Sequence, residues 1–316
     1  MWRQGKPQPT FKPRTWAIAG VGAVGGFYGS RLLKGGADVG FLAGRFAPKW
    51  QSEGIQVHSP DGDYKIPGHR VYTSPWHFGP VDVLILAAKT TASQQVCEAM
   101  GPLACDKTRL VTLQNGMGNA EFLNSFIGGL PVLAGLCFVC AHRDDEGVIH
   151  HHSHGKVVIG QYGGPPGENA KWIAQALKAG GVDVEIADDL DSALWRKLLW
   201  NIPFNGLAIT LGGKNCAEIL SSPEGEKKVR TLMDEVMAAA EASGHPLPND
   251  LPDKLIHTTR KMGPYKPSTL LDFLHGRELE IEAIWREPTR RAAAAGAPMP
   301  ATQRLTAELE KAAAGQ

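Results

Sequence analysis

A glycine-rich hexapeptide near the amino terminus restricts the fold of this chain more than any other feature. Residues 20–25 read Gly-Val-Gly-Ala-Val-Gly, between a strand-like run at 16–19 and a helical run at 25–34. A G-x-G-x-x-G sequence between a strand and a helix is typical of the turn that binds the pyrophosphate of a dinucleotide. A glycine turn that serves packing alone is the alternative, and the flanking strand and helix disfavour it.

The motif predicts a role for each of its residues. Gly20 allows a tight turn, Gly22 lets the backbone approach a pyrophosphate, and Gly25 permits close packing of the helix on the sheet. Ala23 and Val24 lie directly before the helical run at 25–34, whose free N–H groups favour negative charge. These five residues form the predicted cofactor-binding turn.

The first half of the chain alternates strand-like and helical runs. Strands are predicted at 16–19, 39–42, 81–88, 109–113 and 182–186, helices at 25–34, 91–100 and 169–179, a hairpin within 54–73, and strands around a turn at 144–147 within 133–162. Such alternation predicts an α/β fold with a Rossmann-type doubly wound sheet.

After residue 188 only helical patterns recur, so an all-α domain is expected to follow. Its helices are predicted at 190–211, 224–243, 251–262, 280–295 and 301–314. We therefore expect a disordered extension at 1–14, a cofactor-binding domain at 15–187 and a helical substrate and catalytic domain at 188–316. Clefts between domains are preferred ligand sites.

Basic and amide side chains at the strand ends bear on the cofactor. NAD sites commonly carry an acid about 20 residues after the glycines, whereas this chain has Arg45 there. A guanidinium suits a 2′-phosphate, which predicts NADP (NADPH); a solvated surface arginine is the alternative. Lys89 follows the strand at 81–88 and is expected either to bind a ligand or to cap the strand. Asn115 follows the next strand and offers both a donor and an acceptor.

One helix carries the candidate chemistry. Lys197, Asn201 and Asn205 are spaced four residues apart on an apolar helix, so they share one face. Buried polar groups need partners, which either a polar ligand or an interdomain hydrogen-bond network would supply. Pro203 within the same stretch predicts a kink or a break.

Further polar residues have weaker signals. Glu280 and Glu282 alternate with apolar residues. Either one of the two acids turns inward, or both lie on a solvated helix face. Ser268 and Asp272 are candidates for a second polar wall.

Cysteine and histidine patterns do not predict metal or redox chemistry. Cys137 and Cys140 form a C-x-x-C that fits two residues of a strand better than a reactive pair, and the histidines at 150–154 lack zinc spacing. No metal site is expected.

Composition excludes several function classes. The net charge is +1, which does not favour nucleic acid, and five cysteines do not suggest a disulfide framework. No apolar run is long enough to cross a bilayer, so a cytoplasmic protein without a membrane partner is expected.

Several ordered motifs together resemble the ketopantoate reductase (2-dehydropantoate 2-reductase) family from residue 16 onward. They are GVGAVGGFYG, AAKTTAS, LQNGMGN, RKLLWNIPFNGLAIT, KPSTLLDFLHGRELEIEAI and GAPMP. The resemblance implies NADPH-dependent reduction of a small 2-oxo acid, 2-dehydropantoate, to pantoate in pantothenate and coenzyme A biosynthesis. It also implies an active site between a Rossmann domain and a helical domain.

The resemblance also implies roles for individual residues. Lys197 matches the catalytic lysine of the family and Glu280 its active-site glutamate. Residues at ligand-binding positions are Asn115, Asn201, Asn205 and Ser268, and those at cofactor-contacting basic positions are Arg45 and Lys89.

Two departures keep other functions open. Tyr265 stands where the family often has an asparagine, and Trp285–Arg286 replaces a common Asn-Gly. A reductase of a different branched 2-oxo acid is therefore one alternative, and a non-catalytic NADP-binding regulatory protein is another. The apolar C-terminal helices fit either a homodimer interface or a core.

Overall fold

The computed structural model describes residues 15–315, and the predicted disordered extension at 1–14 lies outside them. The strands are β1 (Thr15–Ala19), β2 (Asp38–Leu42), β3 (Ile55–His58), β4 (Tyr64–Ile66), β5 (Val71–Tyr72), β6 (Val83–Leu86), β7 (Arg109–Thr112), β8 (Val132–Arg143), β9 (Ile149–Gln161) and β10 (Val184–Ile186).

Twelve α-helices are found among the described residues. Those of the first half are α1 (Ala23–Lys34), α2 (Ala47–Glu53), α3 (Ser93–Met100), α4 (Asn119–Phe126) and α5 (Glu168–Ala179). Those of the second half are α6 (Leu190–Thr210), α7 (Cys216–Leu220), α8 (Pro223–Ala242), α9 (Leu251–Lys261), α10 (Ser268–Leu274), α11 (Glu287–Ala294) and α12 (Pro300–Ala314).

The ten strands form one mixed sheet whose central part has the doubly wound order. Strands β5, β2, β1, β6, β7 and β8 lie side by side and pair in parallel. Strand β9 runs antiparallel to β8 and joins β3, β4 and β10 to the sheet. The connection reverses direction between β1 and β6, which is the point where such sheets bind ligands. The predicted fold class is confirmed.

Steric contacts require glycine at two positions of the predicted turn. Gly20 has φ +90°, and a Cβ on it would lie 2.3 Å from the backbone nitrogen of Ala88. A Cβ on Gly25 would lie 2.4 Å from the carbonyl oxygen of Gly20, so α1 packs directly against the turn. A Cβ on Gly22 would have no neighbouring atom within 4 Å, so open space beside its backbone is available to a ligand.

The second half of the chain is built around α6. This helix packs against α8, α10 and α12, and most of its residues are buried. It runs without interruption through Pro203, so of the two predicted alternatives the break is wrong and the kink stays a prediction. Burial on several sides holds the helix together although Pro203 cannot donate a hydrogen bond within it.

Strand β10 ends at Ile186 and α6 begins at Leu190, on either side of the predicted boundary at 188. One apolar cluster contains both Leu84 of the sheet and Trp195 of α6, so packing is continuous across that position. The division into two domains stays a prediction.

The helix predicted at 280–295 differs from the structure at its start. Residues Glu282–Arg286 form a π-helical turn that continues into α11, and Glu280 precedes it in an irregular segment. Pro288 has no backbone N–H to donate to the carbonyl oxygen four residues earlier. The wider π-helical turn accommodates the missing hydrogen bond. Because Glu280 lies before the helical residues, Glu280 and Glu282 do not share a helix face. Glu282 forms exposed ion pairs with Arg286 and Arg290.

The Trp285–Arg286 departure lies away from the cleft. The Trp285 indole is fully buried and donates a hydrogen bond of 3.1 Å to the carbonyl oxygen of Ile202. Arg286 is exposed and pairs with Glu310 at 2.7 Å. Since neither side chain lines the cleft, the expectation that this departure bears on substrate identity is not supported by the structure.

We expect Trp285→Phe to lower the free energy of unfolding by about 1–3 kcal/mol, because it removes a buried donor and leaves a small cavity. Urea unfolding followed by circular dichroism measures this. The matched control is Trp76→Phe, at a tryptophan that is 78% exposed, and it should change stability by less than about 0.5 kcal/mol. An unchanged stability for Trp285→Phe would contradict the core assignment.

Candidate active site

One large cleft brings the predicted site residues together. It has a volume of about 1540 Å³ and opens beyond the carboxyl ends of β1, β6 and β7, facing α6 and α10. All the predicted site residues except Gly25 line it, namely Gly20, Gly22, Ala23, Val24, Arg45, Lys89, Asn115, Lys197, Asn201, Asn205, Ser268 and Glu280. Gly25 contributes through packing of α1 instead.

The glycine turn has the features that a dinucleotide requires. Helix α1 begins at Ala23 directly after Gly22, and its first turn contains no acidic residue. The first N–H groups of a helix have no partner within the helix, and the helix dipole favours an anion there. The open space at Gly22 lies at this helix end. The turn therefore fits a pyrophosphate.

Lys89 connects the two halves of the chain across the cleft. Its Nζ lies 2.8 Å from Oδ2 of Asp272 on α10 and donates to the carbonyl oxygen of Glu278 at 3.2 Å. Asp272 therefore lies on a polar wall of the cleft and is the ion-pair partner of Lys89. Ser268, at the first turn of α10, lies exposed on the same wall.

Lys197 and the amides of α6 line the opposite side. The Lys197 ammonium donates a hydrogen bond of 3.0 Å to the Cys137 carbonyl oxygen and lies 5.4 Å from the ring centre of Phe138. Burial lowers its pKa below the usual 10.5, and Cys137 and Glu280 oppose that shift. A lysine in this state releases a proton more readily than one in water.

A hydrogen bond of 2.9 Å joins Asn201 to Asn115 across the cleft. Asn201 and Asn205 are 7% and 3% exposed. Asn201 thus has a hydrogen-bond partner in the first half of the chain, as one of the two alternatives from the sequence expected, and it lies on a face that also lines the cleft.

The Glu280 carboxylate is also drawn inward. Its Oε1 accepts a hydrogen bond of 2.9 Å from the Thr90 backbone N–H. Burial raises the pKa of Glu280 above its usual range, while the bond from Thr90 and the charge of Lys89 lower it. Of the two acids considered from the sequence, Glu280 is the one that faces the cleft.

The cysteine pair and the histidines belong to the sheet. Cys137 and Cys140 are free thiols on β8, as the strand interpretation expected. His150 and His152 of β9 both stack against His142 of β8. No group of three or more His, Cys, Asp or Glu side chains within residues 15–315 is arranged to hold a metal ion.

Two of the cleft residues that sequence reasoning missed lie beside Lys197 and the glycine turn. Phe138 is 41% exposed beside Lys197, and Arg143 reaches the glycine turn from the end of β8. Arg143 has no motif around it in the sequence, because its approach to the turn depends on how the β8–β9 hairpin folds over α2. Neither helix nor strand periodicity contains that information.

None of the helices formed by the described residues is both long enough and apolar enough to span a bilayer.

Comparison with known proteins identifies related sequences over both halves of the chain. The family description "Ketopantoate reductase PanE/ApbA" matches residues 16–164, and "Ketopantoate reductase PanE/ApbA C terminal" matches residues 189–313. A 2-dehydropantoate 2-reductase of Nostoc sp. is 32% identical over 292 residues, which cover 91% of each chain.

Solved structures agree with these matches. A crystal structure of 2-dehydropantoate 2-reductase from Geobacter metallireducens is 37% identical, with a TM-score of 0.91, and the match covers 94% of this chain and 99% of that one. A D-mandelate dehydrogenase solved with NADH is 23% identical with a TM-score of 0.84, over 95% and 99% of the two chains, and shares the fold.

We expect Glu280→Gln to stabilise the protein at pH 8. Because burial raises the pKa of Glu280 above the 4.5 of the unfolded chain, folding is penalised once the carboxyl ionises, and glutamine keeps the oxygen that accepts from Thr90. The difference should vanish below about pH 4, where the carboxyl is protonated in both states.

Chemical unfolding at several pH values measures this difference. The control is Glu282→Gln, which removes only exposed ion pairs and should be neutral or slightly destabilising at pH 8. If Glu280→Gln is no more stable than the wild-type protein at pH 8, as expected for the control, the interpretation that burial raises the pKa of Glu280 is contradicted.

Proposed function

The chain belongs to the ketopantoate reductase family, and from this premise we propose that it reduces 2-dehydropantoate to pantoate with NADPH, a step of pantothenate biosynthesis. It is an oxidoreductase that uses a nicotinamide cofactor; the 2′-phosphorylated form is the part that we propose. The observation that carries the proposal is the arrangement of Lys197 and Glu280 in the same cleft as an open glycine turn. A reductase needs a proton donor beside its cofactor site, and a nucleotide sensor does not.

The chain's own residues would hold the cofactor along the first half of the cleft. Gly20, Gly22 and the first turn of α1 receive the pyrophosphate, and Arg45 lies beyond them after β2. An arginine at that position supports NADPH, since a guanidinium binds a phosphate through paired hydrogen bonds. When bound, NADPH supplies the hydride for the C2 carbonyl carbon of the substrate.

Lys197 is the proposed proton donor. Negative charge develops on the carbonyl oxygen during reduction, and an ammonium shielded from water and within hydrogen-bond reach stabilises that charge and donates the proton. The Cys137 carbonyl that now accepts from Lys197 keeps the ammonium on the cleft side. Glu280 opposes loss of the proton before substrate arrives, because its charge favours the ammonium form.

The amides and the hydroxyl would orient the substrate. We propose that Asn115, Asn201, Asn205 and Ser268 hold its carboxylate and hydroxyl groups, which fixes the C2 carbonyl relative to Lys197. Asn201 and Asn115 already restrict each other through their hydrogen bond, so this part of the site is preorganised.

A reductase of another branched 2-oxo acid is the second candidate function. The observation that favours it is Tyr265, which lines the cleft and lies 6.1 Å from Trp200 between ring centres. Tyr265 thus gives the cleft an aromatic side chain at the position where the family often has an asparagine.

Steady-state NADPH oxidation with a panel of 2-oxo acids tests the function. We expect 2-dehydropantoate to have the highest kcat/KM, at least about 100-fold above 3,3-dimethyl-2-oxobutanoate, because a site built to bind a substrate hydroxyl rejects the analogue that lacks it. A larger kcat/KM for another branched acid would favour the second candidate. No oxidation with any acid, despite tight NADPH binding, would favour a regulatory protein.

We expect Lys197→Ala to lower kcat by about 10²–10⁴-fold while NADPH affinity, measured by fluorescence titration, changes little. The pH profile provides a second readout. Because the protonated ammonium is the donor, wild-type kcat/KM should be high below the lowered pKa of Lys197 and fall as the pH rises through it, at a pH below 10.5. Near-normal turnover in the variant, with the same alkaline fall, would remove Lys197 from the mechanism.

A further inference from the structure

An arginine outside every sequence motif lies between the glycine turn and α2. Arg143, the last residue of β8, donates a hydrogen bond of 3.0 Å from Nη1 to the carbonyl oxygen of Val21, inside the glycine turn. Its guanidinium carbon lies 4.6 Å from the ring centre of Phe46 and 5.9 Å from that of Trp50. The side chain is half-buried and lines the cleft.

The hairpin that carries Arg143 is fixed against α2. A Cβ on Gly147, in the turn of the hairpin, would lie 2.9 Å from Nε1 of Trp50, so the backbone packs directly on that indole. Glu146 in the same turn forms an ion pair of 2.9 Å with Lys49. Two contacts to one short helix restrict where the Arg143 guanidinium can lie.

Arg143 shares its aromatic neighbour with the arginine assigned to the cofactor. The guanidinium carbon of Arg45 lies 4.9 Å from the same Phe46 ring, so two cations converge on one side chain. No carboxylate within residues 15–315 forms an ion pair with either arginine. The Nε of Arg143 is buried and has no hydrogen-bond partner among the described residues. Burial and the charges of Arg45 and Arg277 lower the pKa of Arg143.

Two guanidinium groups that lie 4.9 and 4.6 Å from one ring centre, without an ion-paired carboxylate among the described residues, form a site for a doubly charged anion, because each repels the other until an anion intervenes. The pyrophosphate has its own site at the start of α1. The arginine pair instead lies beyond the carboxyl end of β2, where the ribose 2′ position of a dinucleotide is bound.

We propose that Arg143 is the second guanidinium of a 2′-phosphate site and that it sets the preference for NADPH together with Arg45. The inference deepens the proposed function and rests on it. Arg143 differs from Arg45 in also holding Val21, so it couples the phosphate site to the glycine turn.

Calorimetric titration with adenosine 2′,5′-bisphosphate and with 5′-AMP tests this inference without turnover. We expect Arg143→Gln to weaken the bisphosphate by about 10- to 100-fold, the size of a charge-assisted hydrogen bond, and 5′-AMP by less than about threefold. Arg143→Lys should be intermediate, because it keeps the charge and loses the paired donors. Arg45→Gln should show the same selectivity as Arg143→Gln.

Arg230→Gln is the matched control, since it removes a guanidinium that pairs with Glu226 and Asp253 and does not line the cleft. It should leave both affinities unchanged. Circular dichroism and thermal unfolding establish that each variant is folded.

Two results would overturn the inference. An equal loss for both nucleotides would mean that Arg143 acts only through Val21 and the glycine turn, and unchanged affinities would remove it from the site. Failure of the NADPH proposal is visible separately, because the wild-type protein would then bind the bisphosphate no more tightly than 5′-AMP. The reaction itself is tested independently by the 2-oxo acid panel.

Discussion

The close approach of two strand ends is the constraint on which the site depends. Gly20 follows β1 and its Cα lies against the backbone of Ala88, which follows β6, with no room for a side chain between them. This contact brings Lys89 to the edge where the glycine turn opens, and the next parallel strand, β7, brings Asn115 to the same edge. The cofactor side of the cleft is therefore produced by sheet order and by one steric requirement.

The other side of the cleft keeps polar groups where an apolar interface would be more stable. Lys197, Asn201 and Asn205 lie on a helix that is otherwise apolar, and Glu280 lies at reduced exposure beside them. Burial moves the pKa values of Lys197 and Glu280 in opposite directions, each toward its neutral form. The charge of Glu280 opposes the shift of the Lys197 pKa, while the hydrogen bond from Thr90 and the charge of Lys89 oppose the shift of the Glu280 pKa. Lys197 therefore gives up its proton more easily than a lysine in water.

The sequence was sufficient to predict features that follow from local spacing. The glycine turn has its strand and helix next to it in the chain, and the polar face of α6 follows from a four-residue spacing. The π-helical turn before α11 and the burial of Trp285 depend on how Pro288 and the α6 backbone are accommodated in three dimensions. Both features are set by tertiary packing, which overrides the hydrophobic periodicity of the sequence. Arg143 was missed for the same reason, because β8 and Val21 are more than 100 residues apart in the chain.

The cations of the cleft differ in whether carboxylates neutralise them, and this difference separates two tasks. Toward the reacting end, Lys89 pairs with Asp272, and Glu280 acts on Lys197. A cation with an acid beside it has an adjustable proton affinity and attracts a charged ligand less strongly, which suits proton transfer. Arg45 and Arg143 form no ion pair with an acid among the described residues, and a guanidinium does not give up its proton near neutral pH. Their charge is therefore available for binding alone, which suits the end of the cleft where a phosphate must be recognised and no proton moves.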